Sequence, residues 1–404
     1  MSNVATVPAA TRSPPRGSLL YDPKVRGAFY QLVLVLVVGF LIYEAFSNAA
    51  QNLRNARIAS GFGFLGNTAG FDVNQSLIPF TAAGSSYGEA FIVGLLNTLV
   101  VSIIGVVFAT IVGFVMGVAR LSPNWIVARL ATVYVELIRN VPLLLQLLFW
   151  YVAVLSALPG ARDALSLGDL FFLSQRGLFT PRPVLDGHAW LVPAAFVFGI
   201  VASLVYRVHA AKVQERTGRQ LPVALTAAGL ILGLPVVIWL ALTAIFGNPI
   251  SFEVPVKGTF NLRGGIQLYP EFVSLLLGLV LYTGAFIAEV VRAGILAVSR
   301  GQSEAANALG LRPGPTMRLI VLPQAMRVIV PPLTSQYLNL TKNSSLAVVI
   351  GYPDLVQVFM GTVLNQTGQA VEVVSITMAV YLTISLVTSA LMNVYNQRVA
   401  LVER

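Results

Sequence analysis

Residues 90–119 read AFIVGLLNTLVVSIIGVVFATIVGFVMGVA, a run with no charged side chain. Coiled as an α-helix at about 1.5 Å per residue, it exceeds the roughly 30 Å of a hydrocarbon core. Lipid cannot satisfy an open backbone, so a helix is the form such a segment takes there. Ala109, Gly113 and Gly117 recur every fourth position, which lays a strip of small side chains along one face. Gly284 and Ala288 repeat the spacing, and strips of this kind let two helix backbones approach closely.

Working outward, the same reading predicts an all-α transmembrane chain of about eight spans. Gly27 to Phe46 is the first, and 1–26, rich in Pro, Ala and Ser, reads as a cytoplasmic tail. No small-residue cleavage site follows Arg12 and Arg16, so the first span is expected to stay on the protein. The polar stretch 47–89 is expected as an external loop. Further spans fall near 90–119, 128–158, 190–208, 222–246, 272–298, 328–351 and 370–394. Arg327 would lie at the edge of the seventh, and Gly351-Tyr352-Pro353-Asp354 would end it.

With 56% hydrophobic and 10% charged residues, the composition excludes an ordinary soluble domain. The formal charge of +10 is then a topology signal, not a nucleic-acid footprint. Placing both termini in the cytoplasm gathers Arg120, Arg129, Arg207, Lys212, Arg216, Arg219, Arg300, Arg312, Arg318, Arg398 and Arg404 on that side. The opposite loops hold Arg54, Arg57, Arg162, Arg176, Arg182, Lys257 and Arg263. There is no cysteine, and His188 and His209 offer little for a metal site or imidazole catalysis. No Gly-rich loop ending in Gly-Lys-Ser or Gly-Lys-Thr is present to hold nucleotide phosphates.

One loop on the basic side stands out: Gly301-Gln302-Ser303-Glu304-Ala305-Ala306-Asn307-Ala308-Leu309-Gly310-Leu311-Arg312, followed by Pro313-Gly314-Pro315. It predicts a short helix with Ser303 capping its start, Glu304 near the N-terminal dipole and Gly310 in the left-handed closing position. Pro313 and Pro315 are expected to stop it. A compact helix carrying small Ala305 and Ala306, held between two spans, is shaped to press into a groove on another protein.

Glu304-Ala305-Ala306, Gly310, Ile320, Leu322 and Pro323 resemble the EAA loop through which permease subunits of bacterial binding-protein-dependent importers engage their ATPase. Asn97-Thr98, Glu136-Leu137-Ile138-Arg139-Asn140-Val141-Pro142-Leu143-Leu144-Leu145-Gln146, Ala288-Glu289-Val290-Val291-Arg292-Ala293-Gly294 and Lys342-Asn343-Ser344-Ser345-Leu346 are similar to the polar amino acid branch of these ABC importers. Tyr21-Asp22-Pro23 resembles permeases of the general L-amino-acid or glutamate/glutamine/aspartate/asparagine systems.

The resemblance implies a five-helix permease core in two parts, 90–158 and 270–398, with the coupling loop at 300–323. An extra N-terminal helix and the insert 159–265, holding a helix pair, depart from that core. It implies a non-enzymatic subunit that translocates amino acids across the bacterial inner membrane. The chain itself would bind no cofactor, and ATP would be used by a partner. The implied partners are a second related permease forming a heterodimer, two ATP-binding subunits and a periplasmic amino-acid-binding protein.

A zwitterionic substrate needs both donors and acceptors along its path. Ionisable residues inside spans are candidates: Lys342 with Asn343, Ser344 and Ser345, expected near mid-span, and the pairs Glu289/Arg292 and Glu136/Arg139. The alternative for each pair is that its members bind each other and fix helix packing. Pro142 is expected to break its helix. Rival functions are a secondary transporter or channel without an ATPase, a membrane scaffold, and a permease for osmolytes or drugs. The first would show inverted repeats or several mid-span acids, and neither is evident.

Overall fold

The computed structural model describes residues 23–55, 61–185, 187–258 and 261–399. Residues 1–22 of the expected tail, with Tyr21 and Asp22, lie outside them, as do Arg57 and Arg404. The described chain is mostly helical. Helix α1 (Pro23–Asn55) continues nine residues beyond the span expected to end at Phe46, and α2 is Tyr87–Ala119. A reciprocal cap starts α2: the Ser86 hydroxyl accepts from the Glu89 N–H, and the Glu89 carboxylate accepts from the Ser86 N–H.

The expected span 128–158 is two pieces, α3 (Trp125–Asn140) and α4 (Leu143–Leu148), the latter continuing as a π-helical turn over Phe149–Leu155. They meet at 107°. Val141 is extended (φ −102°, ψ 128°), as the residue before a proline prefers, and Pro142 has no N–H to carry the helix on. The Gln146 amide donates to the carbonyls of Ile138 and Val141, both at 2.9 Å, so the break leaves those acceptors satisfied.

Helix α5 (Leu191–Thr217) ends at left-handed Gly218, and α6 (Val223–Ala228) continues through a π-helical turn into α7 (Leu234–Phe246). Then come α8 (Pro270–Leu296), α9 (Arg300–Ala308), α10 (Pro313–Thr316) and α11 (Leu322–Asn343). The chain closes with α12 (Leu364–Thr367) and α13 (Ala370–Val399). Among the described residues, six helices are long and apolar enough to cross a membrane, or seven counting the bent α3–α4 pair. The remaining long helix, α11, which holds most of the span expected at 328–351, is not among them. It begins at Leu322, before the expected start at 328, and tightens into a 3₁₀ segment over Ser344–Ile350.

The helix pair expected in the insert is present as α5 and as α6 running into α7, and short strands lie in the segments that flank the pair. The strands β1 (Leu165–Leu167), β2 (Phe171–Ser174) and β3 (Gly177–Thr180) precede α5, and β4 (Arg182–Leu185) leads into it. After α7 come β5 (Ile250–Glu253), β6 (Val256–Lys257), β7 (Leu262–Arg263) and β8 (Ile266–Leu268). They form an antiparallel sheet in the order β1-β2-β3-β8 and the pairs β4-β5 and β6-β7. At two to four residues each, they are too short to show a period-two pattern in sequence.

The core is the crossing of α2 and α8, flanked by α11. The two small-residue strips face each other: a Cβ on Gly117 would stand 2.7 Å from the Ala288 carbonyl oxygen, and one on Gly284 would stand 3.4 Å from that of Ala109. Leu275, Leu279, Ile287 and Val291 of α8 fill the centre with Ile329, Leu333 and Leu340 of α11. The stretch expected as the external loop 47–89 is not a free loop. Its first residues extend α1, and Phe64 is buried between Tyr87 and Phe359, at ring separations of 6.3 and 6.2 Å.

Candidate functional site

Three arrangements bear on function. The first is α9, which begins at Arg300 with Ser299 at its N-cap. Ser303 is therefore inside the helix and caps nothing, and Glu304 lies beyond the first turn. Gly310 is at φ 75°. Its N–H donates to the Asn307 carbonyl at 2.9 Å, while the Leu311 N–H donates to Ala306 at 3.1 Å, a Schellman closure. Pro313 ends nothing further on. It opens α10, where the missing N–H costs nothing.

Within α9, Ala306 is buried and turned inward, so it anchors the helix to its own subunit and is not on the outward face. Glu304, Ala305 and Ala308 are exposed, and Leu309 is 82% exposed. The Gln324 amide donates to Gln302 at 3.2 Å and to the Ile320 carbonyl at 3.0 Å, tying α9 to the start of α11. Ile320 and Leu322 are half-buried and Pro323 is exposed in the first turn of α11.

The second arrangement is a charge cluster at the end of the bundle where α2 and α8 finish. The Glu289 carboxylate accepts from Arg292 on the same face of α8 and from Arg120 at the end of α2, each at 2.5 Å, and lies 3.7 Å from Arg139. Arg120 also reaches Glu136 at 3.3 Å. Glu136 and Arg139, expected to pair along α3, thus bind across helices. The Arg139 guanidinium additionally lies over the Phe286 ring, 5.2 Å from its centroid.

The third is a cavity of about 470 Å³ between the end of α11 and α13, lined by Lys342, Ser345, Met360, Thr377, Tyr381 and Ser385, among others. Lys342 is not at mid-helix. It stands in the last turn of α11 and is exposed, a position where a cation complements the carbonyl end of the helix. Ser344 is fully buried and donates to the Thr341 carbonyl at 2.7 Å, and Asn343 is half-buried. Of the eight expected pathway residues, only Lys342 and Ser345 line this cavity. Glu136, Arg139, Glu289 and Arg292 belong to the charge cluster.

Residues 222–401 match the family model described as "Binding-protein-dependent transport system inner membrane component". Over 388 residues the chain is 52% identical to the general L-amino acid transport system permease protein AapQ of Rhizobium johnstonii, an alignment covering 96% of this chain and 95% of that protein. The chain belongs to this permease family. It is also 50% identical to the putative amino-acid ABC transporter permease protein YhdX of Escherichia coli K12, covering 97% of this chain and 99% of YhdX. With the glutamate/glutamine/aspartate/asparagine transport system permease protein BztB of Rhodobacter capsulatus the identity is 40%, over 96% of each. It is a multi-pass inner membrane subunit of the non-catalytic kind.

In this permease, the sequence marked Arg120 only as a topology charge and Gly351-Tyr352-Pro353-Asp354 only as the turn that ends a span, without the bonds they make. The Asn97 amide donates to the carbonyls of Gln75 (2.8 Å) and Pro353 (2.9 Å), and the buried Tyr352 hydroxyl donates to the Asn97 carbonyl at 3.2 Å. Thr98 accepts from the Leu355 N–H at 3.0 Å, and the buried Asp354 carboxylate accepts from the Gln357 N–H at 2.8 Å and from Tyr381 at 3.3 Å. Buried polar residues in an apolar run were the available signal, since such groups demand partners. Asn97 and Thr98 were noticed only as a resemblance.

Proposed function

We propose that this permease moves amino acids inward, driven by a separate ATPase that grips α9. The observation that carries the reading is the division of α9 into an inward Ala306, held by its own subunit, and an outward face of Glu304, Ala305, Ala308 and Leu309. Because α9 lies between α8 and α11 and is tied to the latter through Gln302 and Gln324, a push on it tilts both helices. Ile320, Leu322 and Pro323 would pass that push into α11. ATP would be bound and hydrolysed by the partner, with two such ATP-binding subunits per complex.

The permeases named above support amino acids as the substrate class, and the cavity beside α13 offers fitting chemistry. The Lys342 ammonium attracts a carboxylate, while the hydroxyls of Ser345, Thr377 and Ser385 can accept from an ammonium. The charge cluster serves packing: Glu289 holds three arginines from α2, α3 and α8 together. The distribution of Lys and Arg supports both termini in the cytoplasm, which puts α9 there too. A second related permease would complete a heterodimer, and a periplasmic binding protein would deliver the substrate.

Amino acid uptake in vesicles reconstituted with the complete transporter tests this, comparing wild type with Gly310→Asp at equal assembly. Loss of ATP-dependent uptake, with an ATPase weakly attached or hydrolysing without transport, is expected. Unchanged uptake, or uptake needing no ATP, would overturn the reading in favour of a secondary transporter.

A further inference from the structure

The four-stranded sheet of the insert carries apolar side chains on both faces, and one of them is left largely open at its β1 end. Its register places Phe172 opposite Phe179, both buried, with Ala164 and Leu262 packed around them and the Lys257 ammonium 5.7 Å from the Phe172 ring centroid. The same register puts Leu165, Leu167, Phe171, Leu173, Leu178 and Leu268 together on the other face. Its β8 side is half-buried through Leu173, Leu178 and Leu268, but no described residue covers the β1 end: Leu165 is 55% exposed, Leu167 75% and Phe171 41%. The register adds Ile266 and Thr180 at the far end, so Thr180 is the only polar side chain on that face. An antiparallel sheet with one face in water normally turns its polar side chains outward, but here Ser166, Ser174 and Gln267 lie on the face of Phe172 and Phe179, and the more exposed face is the more apolar one.

We propose that this open face is a membrane-surface wedge, lying against the lipid acyl chains of the leaflet in which α8 begins. Its level is set by β8. Leu268 belongs to the open face and also packs against the membrane core cluster that includes Phe272, and the next residues, Tyr269 and Pro270, start α8. A helix of 27 residues is about 10 Å longer than the hydrocarbon core, which leaves its first turns at the headgroup boundary. Apolar faces of interfacial elements sit about 5–10 Å into that zone. Tyr269 and the exposed Trp190, at the start of α5, mark the same boundary, where such rings collect.

The composition chooses lipid over protein as occupant. Protein hot spots favour Trp, Tyr and Arg, and leucine is under-represented in them. The open face carries none of the three and is mostly leucine. At headgroup depth the free edge of β1 stays hydrated, so the sheet need not close into a barrel to be tolerated.

The absence of cysteine from the chain makes the test clean. The full chain, assembled with cysteine-free partner subunits in nanodiscs, carries one environment-sensitive fluorophore at Leu167→Cys or, as a second variant, Leu165→Cys. Val35→Cys on α1 is the lipid-exposed control and Asn74→Cys the aqueous control. The expected result is blue-shifted emission, loss of intensity with shallow acyl-chain-brominated lipids, and weak quenching by aqueous iodide at 167 and 165. Strong iodide quenching like that at 74 would overturn the proposal. So would insensitivity to both quenchers, which would mean contact with another subunit, or protection from iodide only when the binding protein is added.

Discussion

Gly113 at the α2–α8 crossing can be compared quantitatively with Gly278, where α8 meets α4. A Cβ on Gly113 would lie 2.5 Å from the Ile287 Cβ, overlap its Cγ2, and stand 3.0 Å from the Gly284 carbonyl oxygen. Carbon pairs rest at about 3.5–4.0 Å, so the shortfall is about 1 Å, and it is against atoms fixed to the backbone. A Cβ on Gly278 overlaps only Leu147 Cδ2, a side-chain tip, with its next contact at 3.5 Å. Overpacking costs about 1–3 kcal/mol, and Gly113 belongs at the upper end. Alanine returns about 1 kcal/mol of helix propensity at either site. Gly113→Ala should therefore destabilise by about 2 kcal/mol, roughly a thirty-fold loss in folded population at 1.4 kcal/mol per decade. Gly278→Ala should be near neutral, because shifting the Leu147 rotamer costs about 0.5–1.5 kcal/mol against the same gain. Equilibrium unfolding in mixed detergent micelles measures both. If the two variants unfold within about 0.5 kcal/mol of each other, close backbone approach is not what the strips provide.

Other perturbations separate the remaining parts. Glu289→Gln removes the negative charge, and one of the two acceptor oxygens, shared by Arg120, Arg139 and Arg292 at a partly buried site, and should cost about 2 kcal/mol in the same unfolding assay. Glu136→Gln, with its side chain 53% exposed, should change stability by less than about 0.5 kcal/mol, and a larger loss would mean that α3 depends on that pair. Asn97→Leu strands the Gln75 and Pro353 carbonyls and should cost about 2–3 kcal/mol; wild-type stability would mean that water takes over the bonds. Lys342→Ala should lower uptake of acidic and neutral amino acids in a fully assembled complex while leaving ATPase attachment intact, and unchanged uptake would remove Lys342 from the pathway.

What could be read in the residues was local. The small strips at Ala109, Gly113 and Gly117 and at Gly284 and Ala288 showed which faces would pack, because a four-residue period is a property of one helix. Pro142 marked its break for the same reason, and Gly310 its left-handed turn. Local reading failed where a neighbour decided the outcome. Ser303 had the chemistry of a cap, yet the helix starts at Arg300. Ala305 and Ala306 looked equivalent, and only packing against the rest of the subunit turned one inward. Glu136 and Arg139 had the spacing to pair, but Arg120 and Glu289 were closer in space than in sequence.

The chain's sequence by itself determined that it crosses a membrane several times, which faces are small enough to meet, and where a short helix between spans begins to matter. Uninterrupted apolar length and helical period carry that information without reference to anything distant. Tertiary structure alone decided that Glu289 gathers three arginines, that Lys342 and Ser345 share a cavity while Ser344 is buried, and that short segments of the insert zip into a sheet with one leucine face left open. Each of these depends on residues far apart in sequence arriving at one place, and no local pattern records that distance.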